Sequence, residues 1–171
     1  LLVFGALVHG PVQAVPITGS TGVFGAFTAT GGTDLSDATT LNLLSVTGTG
    51  GTDDIGYTVG FGTGGIINNG SITFNPSTAV NNLFTIGGWV VDLDSVWVVE
   101  QTMNIITLTG YGTISGNGFD PTETSWTLSA NSTGSTYSMT IAEVSLPGIA
   151  WIFITGVSLI KLRQNIARIK P

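Results

Sequence analysis

The strongest constraint on the fold is that residues 15–143 contain only short, strand-length apolar runs, each closed by Gly, Asn, Asp or Ser. The clearest run is 103–115, where Ile106 and Leu108 lie on one side of an extended chain and Thr107 lies on the other. Successive side chains of a strand point to opposite faces, so this alternation predicts a strand with one buried face. The sequence therefore predicts an all-β domain.

Turn signals recur roughly every 8–12 residues, which favours an antiparallel β-sandwich of the jelly-roll or immunoglobulin-like kind. Gly110 and Gly112 fall on the apolar face of the clearest run, which predicts close packing or a bulge there. A right-handed β-solenoid is the alternative, because secreted chains rich in Gly and Thr often take that form. The body shows no fixed repeat length, which a solenoid requires. Its length predicts one domain.

The charges are divided sharply along the chain. All ten acidic residues lie between Asp34 and Glu143, whereas all four cations follow residue 160. These cations are Lys161, Arg163, Arg168 and Lys170. The body therefore has an uncompensated negative charge, which makes nucleic acid and anionic membrane surfaces poor partners for it.

Residues 144–171 combine an apolar run with this basic end. No charge occurs from Leu146 to Ile160, and Pro147 suits the first turn of a helix. Fifteen helical residues span roughly 22 Å, less than a hydrocarbon core of about 30 Å, but basic side chains that reach the interface can extend the span. We predict a short transmembrane helix with its cations on the cytoplasmic side and the body on the far side. The alternative is an amphipathic or core-packed helix of a soluble domain.

Residues 1–14 resemble the end of a secretory signal peptide. An apolar run is followed by Gly10-Pro11 and by Val12 and Ala14 at the spacing of a cleavage site. A core or edge strand is the alternative. The only histidine, His9, falls in this segment, so the body contains no histidine.

The end of the chain resembles a known sorting signal. The order Val144, Leu146, Pro147, Trp151 and Phe153, followed by hydrophobic residues and a basic end, is similar to the C-terminal signal of PEP-CTERM proteins in its V-P-L-P-A variant. The resemblance implies bacterial export and recognition by an exosortase, a membrane-embedded protease or transpeptidase that cleaves near the proline motif.

By this resemblance, Val144, Leu146 and Pro147 form the recognition element and the four cations act as stop-transfer charges. The chain then divides into a leader remnant (1–14), a β-sandwich domain (15–143) and a sorting signal (144–171). Residues 108–131 resemble a layout of the same proteins, in which a Thr- and Gly-rich strand leads to a strand with an inward Trp. The family has no single activity, so the resemblance implies an export route and a β-strand architecture, but no particular chemistry.

The remaining candidates for chemistry are paired carboxylates. The body has no Lys or His beside a nucleophile, and the chain has no cysteine. Four acidic pairs could flank a glycosidic bond or provide oxygen ligands to calcium. They are Asp34 with Asp37, Asp53 with Asp54, Asp92 with Asp94, and Asp120 with Glu123. Aspartates in a turn-rich chain more often cap their own backbone, so we expect turn roles, no catalysis and no cofactor, with a weak calcium site as the alternative.

The tryptophans Trp89, Trp97 and Trp126 could form a platform for sugar rings, although in a small β domain we expect them in the core. Two functions remain. We expect an exported, non-enzymatic structural or adhesive protein of the cell surface or extracellular matrix, with extracellular polysaccharide as a candidate partner. The alternative is a carbohydrate-binding or calcium-dependent recognition module with the same anchor.

Overall fold

The computed structural model describes residues 15–144, which form eleven β-strands and one short helix. The helix, α1, spans Asp53–Gly56. The strands are β1 (Ser20–Thr30), β2 (Thr40–Leu43), β3 (Thr47–Gly51), β4 (Phe61–Ile67), β5 (Ser71–Thr73), β6 (Val80–Ile86), β7 (Trp89–Leu93), β8 (Trp97–Gln101), β9 (Ile105–Gly116), β10 (Phe119–Asn131) and β11 (Thr136–Glu143).

Eight of these strands close into an antiparallel barrel. Their order is β11-β10-β9-β7-β6-β4-β3-β1, and β1 pairs back onto β11. This last pairing runs from Ser20 opposite Ala142 to Ala26 opposite Thr136. Full closure leaves the eight strands without a free edge along this seam.

The predicted all-β class is confirmed, but the predicted β-sandwich is wrong, and so is the β-solenoid alternative. A sandwich needs two separate sheets facing each other, whereas here one sheet curls until its first and last strands pair. Alternation of apolar and polar residues fixes which face of each strand is buried. It does not say which strands are neighbours, and for that reason the sequence favoured the wrong architecture.

Each of the long strands β1 and β9 pairs along one side with two shorter strands in succession. The half of β1 that includes Thr21 pairs with β3, and Phe27 to Thr30 pair with β2. Likewise β9 pairs with β7 near Gly116 and with β8 near Thr109. The chain bends at residues 94–95, and β7 and β8 therefore both lie along β9. Strand β8 pairs with β9 alone.

The barrel interior is filled by the inward residues of each strand. In β10, Trp126, Leu128 and Ala130 are buried, and the residues between them are exposed. Gly110 lies opposite Trp126 on β9, and a Cβ there would meet both the Trp126 ring and the Ser95 carbonyl oxygen. The glycine on the apolar face therefore serves close packing, as the sequence indicated.

Polar atoms on the large buried side chains have partners. The Trp126 indole N–H donates to the Tyr111 carbonyl oxygen at 3.0 Å, and the Tyr137 hydroxyl donates to the Ser45 carbonyl oxygen at 2.8 Å. Burial raises the pKa of Tyr137, so its hydroxyl keeps its proton. These bonds let aromatic rings fill the core without leaving unsatisfied donors.

Both ends of the described chain leave the same end of the barrel, which we call the terminal end. The Asp120 N–H donates to the Val15 carbonyl oxygen at 3.2 Å, and the Val144 N–H donates to the Glu123 carbonyl oxygen at 3.0 Å. The opposite, distal end carries the β1–β2 loop, the β8–β9 turn and the β10–β11 turn. The register of β9, β10 and β11 places these three connections together.

Within residues 15–144, the single helix has four residues, and no helix is long and apolar enough to cross a membrane. The C-terminal helix expected from the sequence falls on residues 145–171, outside the described part of the chain, and nothing in the structure supports it.

One buried hydroxyl generates a stability prediction. Thr124 is buried and its Oγ1 has no hydrogen-bond partner among the described residues, whereas the equally buried Thr21 Oγ1 donates to the Gly50 carbonyl oxygen at 3.0 Å. We expect Thr124→Val to raise the free energy of unfolding, by up to about 1–3 kcal/mol, because an unsatisfied buried hydroxyl is replaced by a methyl group.

The matched control, Thr21→Val, removes a bonded hydroxyl and should lower the free energy of unfolding by about 0.5–1.5 kcal/mol. Urea unfolding of both variants measures the difference. Equal destabilisation by the two substitutions would contradict this assignment.

Candidate functional site

The carboxylates at the distal end cap their own loop. Asp37 accepts the N–H groups of Thr33 and Asp34 at 2.8 and 3.0 Å, and the Thr33 hydroxyl at 3.0 Å. Asp34 accepts the N–H and the hydroxyl of Ser36 at 2.7 and 2.6 Å. The backbone N–H groups of Asp34 and Thr33 hold the pKa of Asp37 below its usual value. This pair stabilises the β1–β2 loop.

A second pair lies in α1 at the terminal end. Asp54 accepts the hydroxyl and the N–H of Thr18 at 2.7 and 2.9 Å, and these bonds hold its pKa below the usual value. Its neighbour Asp53 adopts a positive φ of 51° at the start of the helix. Asp54 thus fixes the segment that leads into β1.

The other two pairs lie on the outer wall. Asp92 accepts the N–H of Asn82, and Asp94 accepts the Thr113 hydroxyl at 3.1 Å. Asp120 and Glu123 lie near the start of β10. Within residues 15–144 no three acidic side chains come together as a metal-binding group would require.

The three tryptophans that the sequence singled out do not form one platform. Trp89 and Trp126 are buried in the barrel, whereas Trp97 is 51% exposed on β8. Its ring contacts Tyr111 edge to face, with ring centroids 5.8 Å apart and ring planes at 88°. Sequence reasoning therefore placed two of the three correctly in the core, and it missed Tyr111 as the partner of the third.

The outer surface of β9, β10 and β11 is covered with hydroxyl groups. Two cross-strand rows define what we call the hydroxyl face, one of threonines and one of mixed residues. The rows are Thr109–Thr127–Thr140 and Thr107–Ser129–Ser138. Neighbouring hydroxyl oxygens lie 3.3 Å apart both in Thr107–Ser129 and in Thr109–Thr127. Trp97 lies opposite Thr109, so the aromatic pair borders the first row.

The hydroxyl face itself has no charged side chain. Carboxylates border it, since Glu100 on β8 lies opposite Thr107 at one margin and Glu123 on β10 lies opposite Thr113 at another. Residues 15–144 contain no Lys, Arg or His. The potential around this face is therefore negative, and nothing on the described barrel compensates it.

A cavity of about 490 Å³ opens at the distal end of the barrel. Its apolar wall includes Phe27, Leu35 and Met103, and its polar wall includes Asn104 and Ser132. This volume lies within the range of small-ligand sites. No pattern in the sequence indicated this cavity, because its walls come from three connections far apart in the chain.

The predicted sorting residues lie mostly outside the described chain. Only Val144 falls inside it, directly after β11, while Leu146, Pro147, Trp151 and Phe153 lie beyond, together with the four cations Lys161, Arg163, Arg168 and Lys170. The structure thus shows where the segment leaves the barrel.

The hydroxyl face was only partly visible in the sequence. Thr107 was expected on the exposed side of its strand, but its alignment with Ser129 and Ser138 depends on the register between strands. Alternating Ser and Thr along β10 and β11 was the available signal.

Comparison of the chain with protein-family models, curated proteins and solved structures found no match in any of the three.

The depressed pKa values of Asp37 and Asp54 predict a loss of stability in acid. A carboxylate whose pKa is lowered by folding stabilises the folded state above its unfolded pKa of 3.8, and the stabilisation is lost as the pH falls through the lower, folded value. We expect Asp37→Asn to lower the melting temperature at pH 7, and the difference from wild type to shrink below pH 3.8.

Thermal unfolding between about pH 7 and pH 2.5 measures this difference. Asn104→Ala, which removes no carboxylate, is the control and should shift the melting temperature by the same amount at both limits. An Asp37→Asn deficit that stays constant with pH would contradict the interpretation.

Proposed function

We propose that this protein is exported to the cell surface or the extracellular matrix, where it has a structural or adhesive role without catalysis. The observation that carries the proposal is the partition of charge: ten acids lie in residues 15–143 and all four cations lie beyond residue 160. Basic residues are retained on the cytoplasmic side of a membrane, so this partition suits a body that is translocated and an end that is held back.

Residues 144–171 act in this proposal as a C-terminal sorting signal. Val144, Leu146 and Pro147 form the element read by an exosortase-type membrane enzyme, and the following cations stop transfer. The position of Val144 supports the assignment, because β11 ends at Glu143 and the element begins at the next residue. Cleavage near Pro147 would leave every barrel strand intact.

The barrel geometry supports an outward presentation of the distal end. Val15 and Val144 are both bound near Asp120 and Glu123, so an anchor through the C-terminal segment would hold the terminal end. The distal cavity then faces away from the anchor, and the hydroxyl face lies along the barrel wall.

A non-catalytic role agrees with how the carboxylates are used. Asp34, Asp37 and Asp54 accept hydrogen bonds from neighbouring backbone and hydroxyl groups. These bonds give the loops their shape, which is the role we expected for aspartates in a turn-rich chain. No cofactor is part of this role.

Mass spectrometry of the protein recovered from the cells that produce it tests the export route. We expect an extracellular or surface form that lacks residues 1–14 and ends near Pro147. The double substitution Leu146→Ala with Pro147→Ala should prevent the C-terminal processing, because it removes the recognition element.

Pro121→Ala is the matched control, since Pro121 is exposed on β10 and lies outside the signal; it should be processed normally. Recovery of the protein from the cytosol with both ends intact would contradict the proposal.

A further inference from the structure

We propose that the hydroxyl face, with Trp97 and Tyr111 at its margin, binds chains of uncharged polysaccharide. This inference rests on the proposed function, because an exported protein is placed among such polymers. It assigns the adhesive contact to one wall of the barrel and to one class of ligand.

The regular spacing of the hydroxyl groups suits a polymer. Neighbouring strands lie about 4.8 Å apart and alternate residues of a strand about 6.8 Å apart, so the two rows form a regular array of donors and acceptors across the barrel wall. Each Ser or Thr hydroxyl both donates and accepts, as sugar hydroxyls do. A single hydrogen bond to a sugar replaces one to water and therefore contributes little net free energy of binding. Binding requires many such contacts along one extended chain.

Trp97 provides the apolar contact that hydroxyls cannot. Its half-exposed indole lies at the end of the Thr109–Thr127–Thr140 row, where the C–H face of a sugar ring can pack against it. Tyr111 contacts the indole edge to face and restricts its orientation. A pyranose ring has an apolar C–H face and a polar edge of hydroxyl groups. The indole matches the face, and the neighbouring array of hydroxyls matches the edge.

The charge distribution selects among polysaccharides. Glu100 and Glu123 lie at the margins of the face, Asp94 binds Thr113 beside it, and the described chain has no cation. An acidic polymer would be repelled, whereas an uncharged chain meets no such cost. A second copy of this barrel carries the same negative charge and is disfavoured for the same reason.

Affinity electrophoresis of the full chain in gels containing dextran, mixed-linkage β-glucan or alginate tests the inference. We expect retardation by at least one uncharged glucan and none by alginate. Trp97→Ala should raise the apparent Kd for that glucan at least about fivefold, because it removes the aromatic surface on which the sugar ring packs.

Phe61→Ala is the matched control. Phe61 is 85% exposed on β4, on the opposite wall of the barrel from β10, and its removal should leave binding unchanged. Thr127→Lys is a second variant, which tests the same face if the Trp97→Ala protein does not fold. It places a cation in the middle of the threonine row and should weaken glucan binding while allowing alginate to bind.

Absence of retardation by both glucans, or an equal loss with Phe61→Ala, would overturn the inference. So would sedimentation showing self-association that Thr127→Lys abolishes, since that result assigns the face to a second copy. A surface-located protein that binds neither glucan overturns the inference and leaves the proposed function standing. A protein that binds glucan but stays in the cytosol supports the face and overturns the export.

Discussion

The structure depends on the pairing of β1 with β11. This one antiparallel contact, from Ser20 opposite Ala142 to Ala26 opposite Thr136, turns an open curled sheet into a closed barrel. Without it, the inward faces of the first and last strands would border solvent, and Val23, Tyr137 and Met139 would lose much of their burial. The contact joins residues about 120 positions apart, so it costs considerable loop entropy, which the enclosed apolar interior offsets.

The register between neighbouring strands determines the outer surface. When the register between β9, β10 and β11 is fixed, every inward apolar residue has an outward neighbour, and the outward Ser and Thr residues fall into rows. The packing of Leu128 and Met139 inside thus sets the alignment of Thr127 with Thr140 outside. A shift of one residue in either strand would bury hydroxyls and expose the core, so the same energy that holds the barrel preserves the hydroxyl face.

The sequence predicted local features better than the architecture. Alternation along β9 indicated its buried side correctly, and the inward position of Trp126 and the close approach at Gly110 were anticipated from residue type. The barrel was not predicted, because its strand order depends on pairing between distant strands. The spacing of residues along one strand carries no information about which strand lies beside it. The distal cavity escaped prediction for the same reason, since its walls come from connections distant in the chain. The Trp97–Tyr111 contact joins two consecutive strands, but it depends on their register, which the spacing of residues along one strand does not define.

The free edge of β8 affects how copies of this protein associate with one another. This strand pairs only with β9, and Trp97, Val98 and Val99 are exposed along it, which is the kind of edge that invites strands of other molecules to add to a sheet. Yet every barrel has the same sign of charge throughout its described residues. Mutual repulsion therefore keeps open edges apart in dilute electrolyte, and high ionic strength, by shortening the range of that repulsion, removes the protection.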